Sequence, residues 1–168
     1  QQSMQHSYSR HTKPQRTMEV SLDLRIINEA VFPLYPVVPN PYTLLSQIPE
    51  EAEWFTVLDL KDTFFCIPLH PDSQFLFAFK DLSNPASQLT WTVLPQGFRD
   101  IPHLFSQALA QDLSQFSHLD VFILQHVDDL LLTANSETLC HQATQVLLNF
   151  LAPCGYKVSK AKAQLCLQ

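Results

Sequence analysis

Two adjacent carboxylates, Asp128 and Asp129, interrupt an otherwise almost wholly apolar run from Val121 to Thr133. Apolar runs of about five residues rich in Val, Ile, Leu and Phe read as buried strands, and a polar break between two of them reads as the bend of a β-hairpin. Both aspartates are then expected at its tip. Side by side on a stiff hairpin they repel each other unless a cation neutralises them, which points to a divalent metal. The same dipeptide is also ordinary turn chemistry. A third acid, Asp59, stands near the end of another apolar run, Trp54 to Leu60. If these strands are neighbours in one sheet, three carboxylates converge at one edge of it. That arrangement suits two Mg²⁺ (or Mn²⁺) ions for in-line phosphoryl or nucleotidyl transfer, one activating the attacking oxygen and the other steadying the leaving group. Mg²⁺ needs few protein ligands, so Asp59, Asp128, Asp129 and the backbone carbonyl of Leu60 would suffice. Asp59 taken alone could equally cap a turn.

The 168 residues are the size of one domain with a respectable core. No apolar stretch is long enough to span a bilayer and the N-terminus has no signal-peptide character, so no membrane role and an intracellular, by default cytoplasmic, location are expected. Cys66, Cys140, Cys154 and Cys166 form no C-x-x-C pair and sit among apolar neighbours, which suits reduced core thiols. A net charge of −6 argues against a simple nucleic-acid-binding module, although a metal-using enzyme can still handle nucleic acid through a local basic groove.

Residues 1–20 lack any period and read as a poorly ordered lead-in, leaving 21–168 as the domain. Val20 to Ile27 alternates like a strand. Pro33, Pro36, Pro39 and Pro41 mark an extended segment, followed by a helical turn over Tyr42 to Gln47. Trp54–Leu60, Phe75–Phe79 and Leu89–Leu94 are expected strands, with a turn at His70 to Ser73. Gly97 is one of only two glycines and is expected to have a special backbone conformation. Asp100 and Pro102 begin an amphipathic helix carrying Ile101, Leu104, Phe105, Ala108, Leu109, Leu113 and Phe116. A second helix, capped by Asn135 or Ser136, presents Leu139, Cys140, Ala143, Val146, Leu147, Phe150 and Leu151 and ends at Gly155 as C′. The tail to Gln168 looks like a further strand. The order of elements describes an α+β domain, an antiparallel sheet with helices on one face.

Several segments then carry a family resemblance. Trp54-Phe55-Thr56-Val57-Leu58-Asp59-Leu60-Lys61-Asp62-Thr63-Phe64-Phe65-Cys66, Leu76-Phe77-Ala78-Phe79, Gln88-Leu89-Thr90-Trp91-Thr92, Leu94-Pro95-Gln96-Gly97-Phe98 and Val127-Asp128-Asp129-Leu130-Leu131-Leu132 resemble, in order and spacing, the fingers and palm of gammaretrovirus-type reverse transcriptases. Similarity runs from about Leu22 to the C-terminus, including Val38-Pro39-Asn40-Pro41-Tyr42 and Lys160-Ala161-Lys162-Ala163-Gln164, and looks most like a pol fragment of a class I endogenous retrovirus. The resemblance implies a truncated polymerase fold with a palm sheet and partial fingers, and RNA-directed DNA polymerase activity using two metal ions. Template–primer of RNA or DNA and dNTPs are the implied partners. Asp59, Asp128 and Asp129 match the catalytic metal-binding aspartates. Phe64 matches the ring that crowds the ribose 2′ position, Gln96 the glutamine beside the incoming nucleotide, and the backbone at Asp62 and Thr63 the triphosphate contact. A bulky ring excludes a 2′-hydroxyl sterically, and backbone N–H groups hold phosphate without a side-chain charge.

The departures bear on activity. His126 replaces the usual Tyr before Val-Asp-Asp, Thr63 stands where a small Ala is usual, and Glu19 occupies the place of an Arg that grips the triphosphate. The expected primer-grip hairpin and thumb lie beyond the last residue. Weak or absent activity is therefore expected of the isolated chain. The alternative is a non-catalytic retroviral remnant acting as a protein or nucleic-acid interaction module. Either reading leaves apolar palm surface exposed, which a protein partner would cover.

Overall fold

The computed structural model describes residues 23–35, 40–117 and 120–168. The expected lead-in at 1–20, Glu19, and Val38 and Pro39 of the proline-rich motif lie outside the described residues. The fold is α+β, as the order of elements implied. Helix α1 (Arg25–Ala30) and α2 (Pro41–Leu45) precede strand β1 (Trp54–Lys61), and a 3₁₀ turn (Thr63–Cys66) and a short α3 (Pro71–Gln74) follow it. A second 3₁₀ turn (Phe75–Phe77) leads into β2 (Phe79–Lys80) and β3 (Gln88–Leu89), then helix α4 (Ile101–Leu113). The remainder is β4 (Phe122–His126), β5 (Asp129–Ala134), α5 (Glu137–Leu151), β6 (Lys157–Val158) and β7 (Gln164–Leu167).

The main sheet is built around β1. It pairs antiparallel with β5 from Trp54↔Ala134 through Asp59↔Asp129, β4 continues the sheet beyond β5, and β6 and β7 pair with the other edge of β1. Alternate residues of a strand face opposite ways. On one face Leu58, Leu60, Leu130, Leu132 and Ala134 join Phe105 and Leu109 of α4 and Cys140, Ala143, Leu147 and Leu151 of α5 in the principal core. The helices therefore cover one face, and the acids Asp59 and Asp129 fall on the other. A smaller core gathers Leu24, Phe77, Leu94 and Ile101, so α4 spans both cores, Ile101 in one and Phe105 in the other.

The first strand expectation is overturned: Arg25–Ala30 is helical, and residues 20–22 lie outside the description. Leu24 and Ile27, three apart, both pack on the smaller core, and this helical spacing prevails over the strand-like alternation. Phe75–Phe79 is also not one strand. Pro71 sits at the first position of α3, with His70 Nδ1 accepting the Asp72 N–H, and the helical path continues through Phe77. Of Leu89–Leu94, only Leu89 belongs to a strand, while Val93 bridges Pro68. Proline on one side and a two-residue ribbon on the other leave no longer partner to pair with.

Both long helices form where their apolar spacing places them. Asp100 occupies the N-cap of α4, but its buried carboxylate caps nothing and instead accepts from Arg99 Nε at 3.3 Å and the Leu34 N–H at 3.4 Å. Gly97 has φ 99°, and the Asn28 side chain clamps it by donating to the Gly97 carbonyl and accepting the Arg99 N–H, each at 2.9 Å. After α5, the Gly155 N–H donates to Ala152 and the Tyr156 N–H to Leu151, the paired bonds of a Schellman ending with Gly155 at C′ and φ 89°.

Candidate active site

Asp59 forms the last pair of the β1–β5 ladder with Asp129, the first residue of β5, so they face each other as direct cross-strand partners. The hairpin tip is one residue earlier than expected: Val127 and Asp128 form it, and Asp129 already pairs with His126. Asp128 is tied to the same edge by its carbonyl, which accepts the Leu60 N–H at 2.9 Å. Leu60 itself is buried and in register with Val158 of β6. Val127 takes φ 54°, a left-handed conformation for a β-branched residue at the first central position of a two-residue hairpin turn. From α4, the Ser106 carbonyl and hydroxyl accept from Gln125 Nε2, bracing the hairpin against the helix.

The three carboxylates interact. Burial, then the charges of Asp129 and Asp59, push the Asp128 carboxyl above the ordinary carboxylate range. Among the described residues no three acid, His or Cys side chains close into a coordination shell. Asp59 is instead held by Lys162, whose Nζ lies 3.1 Å from its Oδ2. The chemistry of these side chains nevertheless suits a hard divalent cation: three carboxylates where two adjoining strands meet the hairpin turn, one of them costly to ionise without a counter-charge.

A raised folded pKa means that the native state binds the proton more tightly than the unfolded chain. The resulting stability is present below the unfolded carboxylate pKa and is lost as pH rises through the folded value. The stability difference between the wild-type chain and Asp128→Asn, followed by thermal melts in EDTA, is thus expected to turn against the wild type as pH rises through that window. A pH-independent difference would show that Asp128 is not desolvated and repelled in this way.

The expected nucleotide-facing residues are less closely gathered. Asp62 follows β1 with φ 55° and pairs with Lys157 at 3.5 Å, while its carbonyl accepts the Phe65 N–H. Thr63 and Phe64 begin the 3₁₀ turn directly beyond, and the roles expected of their side chains lie outside the description. Gln96 is exposed on the segment clamped by Asn28. Nothing in the sequence marks Lys162 or Lys157 as a site residue. Lys162 is 103 positions from its partner Asp59, and no local pattern marks such a pairing.

An aspartate-bearing hairpin against the central strand of an antiparallel sheet, with helices behind, is a reverse-transcriptase-like polymerase fold. The crystal structure of prototype foamy virus protease–reverse transcriptase (CSH mutant) superposes with a TM-score of 0.66 at 28% identity, over 86% of this chain and 18% of that one. The chain belongs to the reverse transcriptase (RNA-dependent DNA polymerase) family, whose sequence profile matches residues 10–168. It is 54% identical over 149 residues to the Gag-Pol polyprotein of avian reticuloendotheliosis virus, covering 86% of this chain and 13% of that protein. Gibbon ape leukemia virus Gag-Pol is likewise 54% identical, and that of woolly monkey sarcoma virus 52%, each across 86% of this chain and 9% of the polyprotein. The gammaretroviral resemblance is thereby established, and the chain spans only about a tenth of these relatives.

Proposed function

We propose that this segment carries the catalytic aspartates of an RNA-directed DNA polymerase, with Asp59, Asp128 and Asp129 holding Mg²⁺ or Mn²⁺. The observation that carries the reading is the Asp59↔Asp129 register with Asp128 anchored to Leu60, which supports a shared role for the three acids. When bound, the ions would activate a primer hydroxyl and stabilise the departing pyrophosphate. The chain's own part is to hold the carboxylates on one edge and to offer the backbone at Asp62 and Thr63 to a triphosphate. Phe64 would select deoxynucleotides and Gln96 would flank the base, both by resemblance. His126, cross-strand from Asp129, replaces the aromatic hydroxyl that would position primer and nucleotide, so turnover is expected to be slow.

The test is primer extension with template, dNTPs and Mn²⁺. Low incorporation that Asp128→Asn reduces by at least about a hundredfold is expected, since the ligand contributes only through bound metal. Incorporation unaffected by Asp128→Asn would overturn the assignment of these residues. The second reading, a non-catalytic interaction module, draws on Phe32, Tyr35 and Tyr42, each more than 80% exposed. It predicts no incorporation from either chain. We propose the cytoplasm as the compartment, where thiols such as the buried Cys140 stay reduced.

A further inference from the structure

Lys162 is presented to the aspartate site by a built turn rather than by a loose side chain. The Ser159 N–H donates to the Asp59 carbonyl at 2.8 Å, and the Lys162 and Ala163 N–H groups both donate back to the Ser159 carbonyl. The backbone between β6 and β7 is thus pinned to the residue whose carboxylate Lys162 grips. The Asp59 side chain is 24% exposed, whereas that of Lys162 is 69% exposed and free to swing into solvent. A second pair, Lys157 with Asp62, lies beside it at 3.5 Å.

We propose that Lys162 is the resident counter-ion of the aspartate site, holding Asp59 in the metal-free chain and giving way when a divalent cation enters. The inference rests on the metal-site reading above. Its physical basis is competition for one carboxylate. Asp59 cannot donate the same oxygen lone pairs to an ammonium at 3.1 Å and to a cation without weakening both contacts. A single charge on a flexible stem can neutralise part of the repulsion among Asp59, Asp128 and Asp129 when no metal is present. It is exposed enough to be displaced at small cost. Lys162 is therefore a positioning residue: it keeps the end of β1 in place for a ligand that then replaces it.

The experiment measures Mn²⁺ binding to the full chain by electron paramagnetic resonance, together with thermal melts in EDTA and in saturating Mn²⁺. Lys162→Met is expected to bind Mn²⁺ about fivefold more tightly, the scale of one exposed ion pair. Lys157→Met removes the same charge from the neighbouring pair and should change affinity less than about twofold if direct competition matters. In EDTA Lys162→Met should melt below the wild type, and saturating Mn²⁺ should close that gap. Unchanged or weaker binding by Lys162→Met, an equal effect of Lys157→Met, or a melting deficit that persists in Mn²⁺ would each overturn the proposal. Asp128→Asn separates the two levels. If it binds Mn²⁺ as the wild type does, the metal-site reading fails. If it loses binding while Lys162→Met shows no gain, only the counter-ion role fails.

Discussion

Phe105→Ala is expected to cost about 3–5 kcal/mol, enough to leave the domain largely unfolded at moderate denaturant. The ring is fully buried on α4 and meets the Tyr156 ring edge-on, centroids 5.9 Å apart. Tyr156 in turn donates its hydroxyl to Asp112 Oδ2 at 2.6 Å, back on α4, so the segment after α5 is fastened to α4 by a ring contact and a charge-assisted hydrogen bond. Removing the Phe105 ring opens a cavity on the helix side of Leu58 and Leu130, whose strands carry the aspartates. Urea denaturation followed by circular dichroism should show the midpoint falling with little change in slope. Phe105→Leu, which refills most of the volume, should recover more than half of the loss. A cost below about 1 kcal/mol for Phe105→Ala would mean that α4 is not a fixed wall of the core.

A second large effect is expected from Thr56→Val, an isosteric change that removes one buried oxygen. Thr56 Oγ1 accepts the Cys166 N–H at 3.0 Å and lies 2.8 Å from Thr144 Oγ1, and Thr56 is fully buried. Where β7 meets β1 the register shifts between Phe55 and Val57, and Cys166 takes φ 50°, so its amide turns to the Thr56 hydroxyl. Valine leaves that amide without its acceptor and takes the Thr56 contact from the Thr144 hydroxyl, at an expected cost of about 2–3 kcal/mol. Amide exchange at Cys166 should accelerate far more than at the β1–β5 pairs. Exchange that rises equally across the sheet would show that the hydroxyl does not specifically hold β7.

These two residues mark what sequence patterns can reveal. Phe105 falls on the stripe Ile101, Leu104, Phe105, Leu109, and the structure buries it where that period places it, because a long helix repeats its signal every turn. The glycines were equally legible, since Gly97 and Gly155 both adopt the positive φ that a chain with only two glycines reserves for such places. Thr56 read as one more β-branched strand residue. Its partners lie 88 and 110 residues away, and nothing local signals that a bulge in a distant strand needs its hydroxyl. The aspartates form a set only if their strands are neighbours, and the register Asp59↔Asp129 supplies that neighbourhood. The bend falls one residue earlier than the two acids suggest, because the tip takes Val127 and leaves Asp129 to the strand. The segment from Val20 to Ile27 shows how a short apolar pattern is ambiguous between periods: Leu24 with Ile26 fits a strand and Leu24 with Ile27 a helix, and tertiary packing decides for the helix.

Val127 and Asp62 both occupy left-handed conformations that glycine or asparagine would accept more easily, and both adjoin the ends of strands that bear the aspartates proposed to hold metal. A laboratory population of this chain selected only for heat resistance therefore has an easy path: substitutions to glycine or asparagine at these two positions release local strain without touching the core. The same steps loosen the backbone that aims Asp128 and the Asp62–Thr63 segment proposed to meet a triphosphate. Robustness and catalytic aim thus pull in opposite directions at two identifiable codons, and selection for one alone is expected to erode the other there first.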